Sequence, residues 1–226
     1  MNKAAAILKL DAALNKYGTA FKGSTAAALP ASLGRGKAYE LHCIAAILEE
    51  LGTREHWTFR YHGGATLPFR LGGGRIGGPK AHIDSFNAGG KLIGTIWTAV
   101  DFVAASAHAS ICSVSGSSPG KGQRHELDIA LVDPAASADP CHEHILLGVE
   151  CKERIFTNAL LKEVLGVRRE MTMLSPTGAA LAGFKDPQWR RVPANPASWM
   201  VVMCSSVTVA AYSAPGDFFG IKFLNV

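Results

Sequence analysis

The chain has 226 residues, 48% of them hydrophobic and 18% charged, with a net charge of +5. That is enough apolar material for one sizeable core and too little length for two ordinary domains with a long linker, so a single domain spanning 1–226 is expected. No apolar run approaches the roughly 18 residues that a membrane span requires, and the alanine-rich N-terminus carries Asp11 and lacks the apolar core and cleavage signal of a leader. A cytoplasmic protein with no membrane partner is the expectation. Cysteines at 43, 112, 141, 151 and 204 show neither CxxC spacing nor a paired framework, which predicts reduced thiols and no disulfide. A pI near 9.0 favours a polyanionic partner.

In chain order, residues 1–35 read as a helical extension in front of a core that starts at about 36. Gly36 to Gly52 carries apolar residues at 41, 44, 45, 48 and 51, the pattern of an amphipathic helix closed by glycine. Trp57, Phe59 and Tyr61 alternate, which reads as one packed face of a strand rather than a base-stacking platform. Leu67 to Lys80 places Arg70, Arg75 and Lys80 among glycines, where the backbone could approach a phosphate or simply turn. Its Gly72-x-Gly74-x-x-Gly77 is a poor dinucleotide fingerprint, because Gly78-Pro79 stands where a helix should open. Ile96 to His108 reads as a short helix or two strands, and its alternation does not decide. Residues 113–122 are rich in Ser and Gly and predict a mobile loop near the functional site, followed by a basic loop, Lys121 to His125.

Glu126 to Val132 and Leu146 to Lys152 are alternating segments rich in Ile, Leu and Val, and residues 133–144 read as their connection. Successive side chains of a strand point to opposite faces, so Glu150 and Lys152 share one face and Cys151 takes the other, with Asp128 on the neighbouring strand. That grouping suits phosphodiester hydrolysis. A hard cation prefers oxygen ligands, which Asp128 and Glu150 supply with a backbone carbonyl, and Lys152 can orient water or stabilise developing charge. The bland alternative is a hairpin whose polar face is merely wet. Cys141-His142-Glu143-His144 holds possible zinc ligands, but no second cluster has the spacing to complete a site, so a solvated loop is expected. A zinc-deaminase reading fails because His144 stands where the second cysteine is needed. Ala159 to Met173 predicts a helix, whose Lys162, Glu163, Arg168 and Arg169 read either as a solvated face or as contacts to a nucleic-acid backbone, and Met200 to Cys204 predicts a buried strand.

Asp128 followed by Glu150-x-Lys152 resembles the PD-(D/E)xK nuclease superfamily, nearest to Holliday-junction-resolvase-like and Type IV restriction nuclease domains. The resemblance runs from about residue 36 onward and rests on few positions. Leu127 stands where the family name has proline, and the helix after Lys152 lacks the glutamine that some branches carry. It implies an α/β, restriction-endonuclease-like domain with a central mixed sheet flanked by helices. It also implies a Mg²⁺ site, open to Mn²⁺, formed by Asp128, Glu150 and Cys151 through its backbone, with Glu40 joining from the first core helix. The implied substrate is double-stranded DNA, gripped by Arg75, Lys121, Arg124, Arg168 and Arg169, in a restriction or anti-phage defence role as a homodimer or a subunit of a larger assembly. Two alternatives share the fold: a catalytically idle member that binds nucleic acid or a partner, and an RNA-directed nuclease.

Overall fold

The β-branched and aromatic runs form strands of one mixed sheet in the computed structural model, which describes residues 2–19, 21, 23–31, 33–111, 119–180 and 191–226. Along the chain these are β1 (Thr58–His62), β2 (His82–Phe86), β3 (Leu92–Val103), β4 (Arg124–Val132), β5 (Ile145–Lys152), β8 (Trp199–Cys204) and β9 (Ile221–Asn225), with β6 (Met173–Ala180) and β7 (Arg191–Asn195) paired separately. The seven-stranded sheet has the order β1-β2-β3-β4-β5-β8-β9. Pairing is antiparallel from β1 to β5 and parallel from β5 to β9. The helices are α1 (Lys3–Tyr17), α2 (Arg35–Arg54), α3 (Ala105–Ile111), α4 (Asn158–Met171) and α5 (Ser213–Phe219). The architecture is therefore α/β.

Each face of the sheet has its own core. Leu41, Ile44, Ala45, Leu48 and Leu51 of α2 are buried against Ile129, Leu131, Val149, Val201 and Met203, so the predicted apolar stripe is the one the sheet covers. Ala6, Leu10, Ala13 and Leu14 of α1 join the same cluster. On the opposite face Leu160, Val164 and Met171 of α4 pack with Ala130, Val132, Met200 and Val202. The central strands are covered on both sides, which is why β8 is buried at every position and reads as a continuous apolar run instead of alternating. Gly148 of β5 permits close packing across the strand: a Cβ there would stand 2.8 Å from Met171 Cε and 3.0 Å from Leu127.

Phe59 and Trp57 are fully buried and Tyr61 half-buried, as the alternation around β1 predicts. Ile96 to His108 is neither a short helix nor two strands. One strand runs to Val103 and α3 starts at Ala105. Of the Ser/Gly-rich stretch, residues 113–118 lie outside the described residues. No helix among the described residues is long and apolar enough to cross a membrane.

Simple alternation breaks where β3 and β4 meet the site. Leu127 and Ala130 both pack in the α4-side core although three positions apart, and so do Trp97 and Val100. Ala99 takes φ 48°, a left-handed conformation that costs a residue with a side chain roughly 1–2 kcal/mol. The flanking pairs Thr98↔Ile129 and Val100↔Leu127 put Ala99 across from Asp128. The ribbon thus turns its faces over at the residue that carries the first carboxylate.

Candidate active site

The recorded β4–β5 register ends at Ile129↔Val149, so Asp128 and Glu150 lie just beyond the last backbone pair. Asp128 turns toward the neighbouring strand and its Oδ2 accepts the Cys151 N–H at 2.7 Å, a bond that holds the carboxylate against the end of β5. Glu150 and Lys152 share a face. Their partners on β8 are Val202 and Cys204, both in the α4-side core, while Cys151 packs with the α2-side core. Burial pushes the Cys151 thiol well up, so it stays protonated, and toward a cation this residue offers its backbone only. Lys152 Nζ donates to Glu150 Oε2 at 2.7 Å and to Glu163 Oε1 of α4 at 3.1 Å.

α2 brings the fourth group. Glu40 is 7% exposed and paired with Lys37 one turn earlier, at 2.7 Å. Burial and then the Asp128 charge raise its pKa from 4.5 to about 7, against the pull of Lys37. Burial and the same Asp128 charge raise Glu150, against the pull of Lys152. Burial opposes the Lys152 ammonium, but Glu150 and Asp128 outweigh it and keep it firmly charged. Asp128 thus stands within electrostatic reach of a carboxylate on α2 and another on β5, each of which keeps its own lysine partner. A hard divalent cation matches that all-oxygen set.

A titration checks the crowding. A carboxyl whose folded pKa lies above its unfolded one binds the extra proton in the native state, so stability falls as pH rises between the two values. For Glu40 that window is 4.5 to about 7, and the loss across it is about 3 kcal/mol. Thermal melts of the metal-free protein are expected to fall through this window, and Glu40→Gln to flatten the slope. A slope left unchanged by Glu40→Gln would show that Glu40 ionises freely.

The expected nucleic-acid contacts divide. Arg169 and Lys162 are exposed on α4. Arg168 is not a backbone contact: it is 1% exposed, with Nε donating to Phe219 O at 2.9 Å, Nη1 to Ser198 Oγ at 2.7 Å and Nη2 to Ser198 O at 3.1 Å. The helix points it inward, where it ties α4 to the residues before β8 and β9. Arg124 forms a fork with Asp139, whose second oxygen accepts from Nη2 at 2.6 Å, and Arg75 lies 3.6 Å from the same carboxylate. Asp139 thus draws the two basic loops together and neutralises part of their charge. Lys121 opens the short turn before β4, and its side chain lies outside the described residues. The Gly72–Gly77 stretch belongs to the β1–β2 connection, bridged to β3 through Gly74↔Val100, and opens no helix. At Gly73 a Cβ would come within 2.4 Å of Asp101 Oδ1 and 2.7 Å of Glu126 Oε2, so the loop passes against the β3–β4 carboxylates.

Glu163 is not a DNA-backbone contact: it accepts from Lys152 Nζ at 3.1 Å, across the turn into α4, a pairing that no periodicity of the sequence marks. The Cys141–His144 segment is also not a solvated loop, because His142 is 7% exposed. No protein-family model, curated protein or solved structure matches this chain.

Proposed function

We propose that this protein is a Mg²⁺-dependent nuclease of the restriction-endonuclease-like kind that hydrolyses phosphodiester bonds of double-stranded DNA. The observation that carries the reading is Asp128 at the end of β4, bonded to the Cys151 N–H and electrostatically coupled both to Glu150 of β5, which pairs with Lys152, and to Glu40 of α2. When bound, the cation neutralises the phosphate and lowers the pKa of a water in contact with it. Asp128 and Glu150 would hold it, Asp128 oriented by the Cys151 N–H. Glu40, about half protonated at pH 7 without a cation, would shift to its charged form beside positive charge and reach the cation through water. Lys152, held charged between Glu150 and Glu163, presents an ammonium for the charge that builds on phosphate as the bond breaks. The exposed Arg169 and Lys162 of α4 supply attraction to the DNA backbone, in keeping with the net charge of +5. A role in restriction or anti-phage defence belongs to the same proposal through the resemblance of the motif.

Incubating the purified chain with plasmid, linear duplex, single-stranded DNA and RNA, with Mg²⁺, Mn²⁺ or EDTA, tests the proposal. Duplex DNA is expected to be cut with either cation and left intact with EDTA. Cutting of RNA alone would reassign the substrate. Binding of DNA without cutting under every condition would make the chain an idle member of this fold.

A further inference from the structure

α4 reaches a second group of reactive side chains. Glu163 touches Lys152, while Glu170 accepts from Ser106 N at 3.1 Å and Ser106 Oγ at 2.7 Å, tying the far end of α4 to α3. At 1.5 Å per residue those two glutamates stand about 10 Å apart along the helix. Two positions further along α3 stands His108. Facing it is the turn before β5, pinned by the Val103 N–H donated to Pro140 O at 2.9 Å and by the Val103↔Cys141 bridge. The His108 and His142 rings lie 5.1 Å apart, edge to face. A ligand atom from each of His108, Cys141 and His142 lies within 4.8 Å of the others.

His142 has no structural explanation within this packing. It is buried, and its Nδ1 has no hydrogen-bond partner, a state that costs a polar atom about 1–3 kcal/mol. Ligation of an ion through that nitrogen would remove the deficit. Two imidazoles and a thiol are the donors of a borderline-soft ion, unlike the all-oxygen set around Asp128. Zn²⁺ bonds of about 2.0–2.3 Å place tetrahedral neighbours roughly 3.5 Å apart, so the cluster needs to contract by about an ångström. Cys141 must lose its proton to ligate, and the proton passes to solvent as the metal binds; His144 Nδ1, 3.2 Å from Cys141 Sγ, already accepts the Cys141 backbone N–H and fixes the turn. We propose that His108, Cys141 and His142 bind one Zn²⁺ through two ring nitrogens and a thiolate, leaving a fourth position for water, at a site separate from the Asp128–Glu150 carboxylates. The ion clamps α3 to the turn that launches β5. Sequence spacing conceals such a site, because His108 comes from 33 positions before Cys141.

The proposal is independent of the nuclease reading, and Co²⁺ binding to the full chain after chelator treatment tests it. One equivalent is expected to produce the visible absorption of tetrahedral Co²⁺ and a near-ultraviolet thiolate-to-cobalt band, both displaced by Zn²⁺. Cys141→Ser is expected to remove the thiolate band. His108→Gln, at a half-exposed position, is expected to weaken Zn²⁺ binding by more than about tenfold. Glu150→Ala is expected to leave both unchanged, which separates this site from the carboxylates. No thiolate band at one equivalent, a band that survives in Cys141→Ser, or full Zn²⁺ affinity in His108→Gln each overturns the proposal. Should Cys141→Ser lose its circular-dichroism signature, the His108→Gln titration decides alone.

Discussion

Glu150→Ala is expected to abolish metal-supported DNA cleavage, with a loss exceeding the roughly 10²–10³-fold that removing one electrostatic stabiliser costs. The carboxylate is 6% exposed, lies beside Asp128 and is the nearer acidic partner of Lys152. Removing it takes away a cation ligand and also leaves Lys152 paired only with Glu163, which draws the ammonium toward α4. The fold is expected to survive, because Asp128 and Glu150 repel each other without a cation and relief of that repulsion offsets the lost ion pair. Asp128→Ala should behave alike and also free the Cys151 N–H. Lys152→Ala should fall by roughly 10²–10³-fold while still binding Mn²⁺, since its part is to meet charge on phosphate. Cleavage assays beside calorimetric Mn²⁺ titrations separate the roles. Wild-type cleavage by purified Asp128→Ala or Glu150→Ala protein would refute the site, and loss of Mn²⁺ binding in Lys152→Ala would refute the division of labour.

Arg168→Ala is expected to be the most destabilising change on α4, by about 3 kcal/mol, because it strips donors from Ser198 and Phe219 O and opens a cavity in the packed interior. For a chain of this length that corresponds to a fall in Tm of about 6–12 °C. Arg168→Lys should recover only a part, since an ammonium cannot reproduce the fork that spans Ser198 and Phe219. Arg169→Ala next to it is exposed and should leave Tm almost unchanged. If it touches phosphate, its loss should flatten the log-log salt dependence of DNA binding by about one unit. An Arg168→Ala protein that melts like the wild type but binds DNA with a flatter salt slope would reverse the two assignments.

The one-dimensional pattern was sufficient for the parts that depend on neighbours in sequence. The period of α2, the alternation around Phe59, the paired strands around Asp128 and Glu150, and the opposite facing of Cys151 follow from backbone geometry that repeats every 3.6 or 2 residues. Those same rules put Glu40 on the first core helix and Lys152 beside Glu150. What they could not supply was anything fixed by a break in periodicity or by a partner distant in the chain. Arg168 stands at i+8 from Leu160 and i+4 from Val164, on the buried stripe of α4, so the helical period marks it as inward and Arg169 as outward; what the sequence does not supply is its partners, Ser198 and Phe219. Ala99 adopts its left-handed φ because the β3–β4 ribbon turns over there, which directs Asp128 toward the Cys151 N–H instead of onto the face that alternation assigns. Asp139, Glu163 and His108 acquire partners across loops and helices whose closure is decided by burial of the two cores. Local spacing determined which residue types could do chemistry; tertiary packing decided which of them meet, because burial, charge neighbours and hydrogen-bond partners are properties of distance in space.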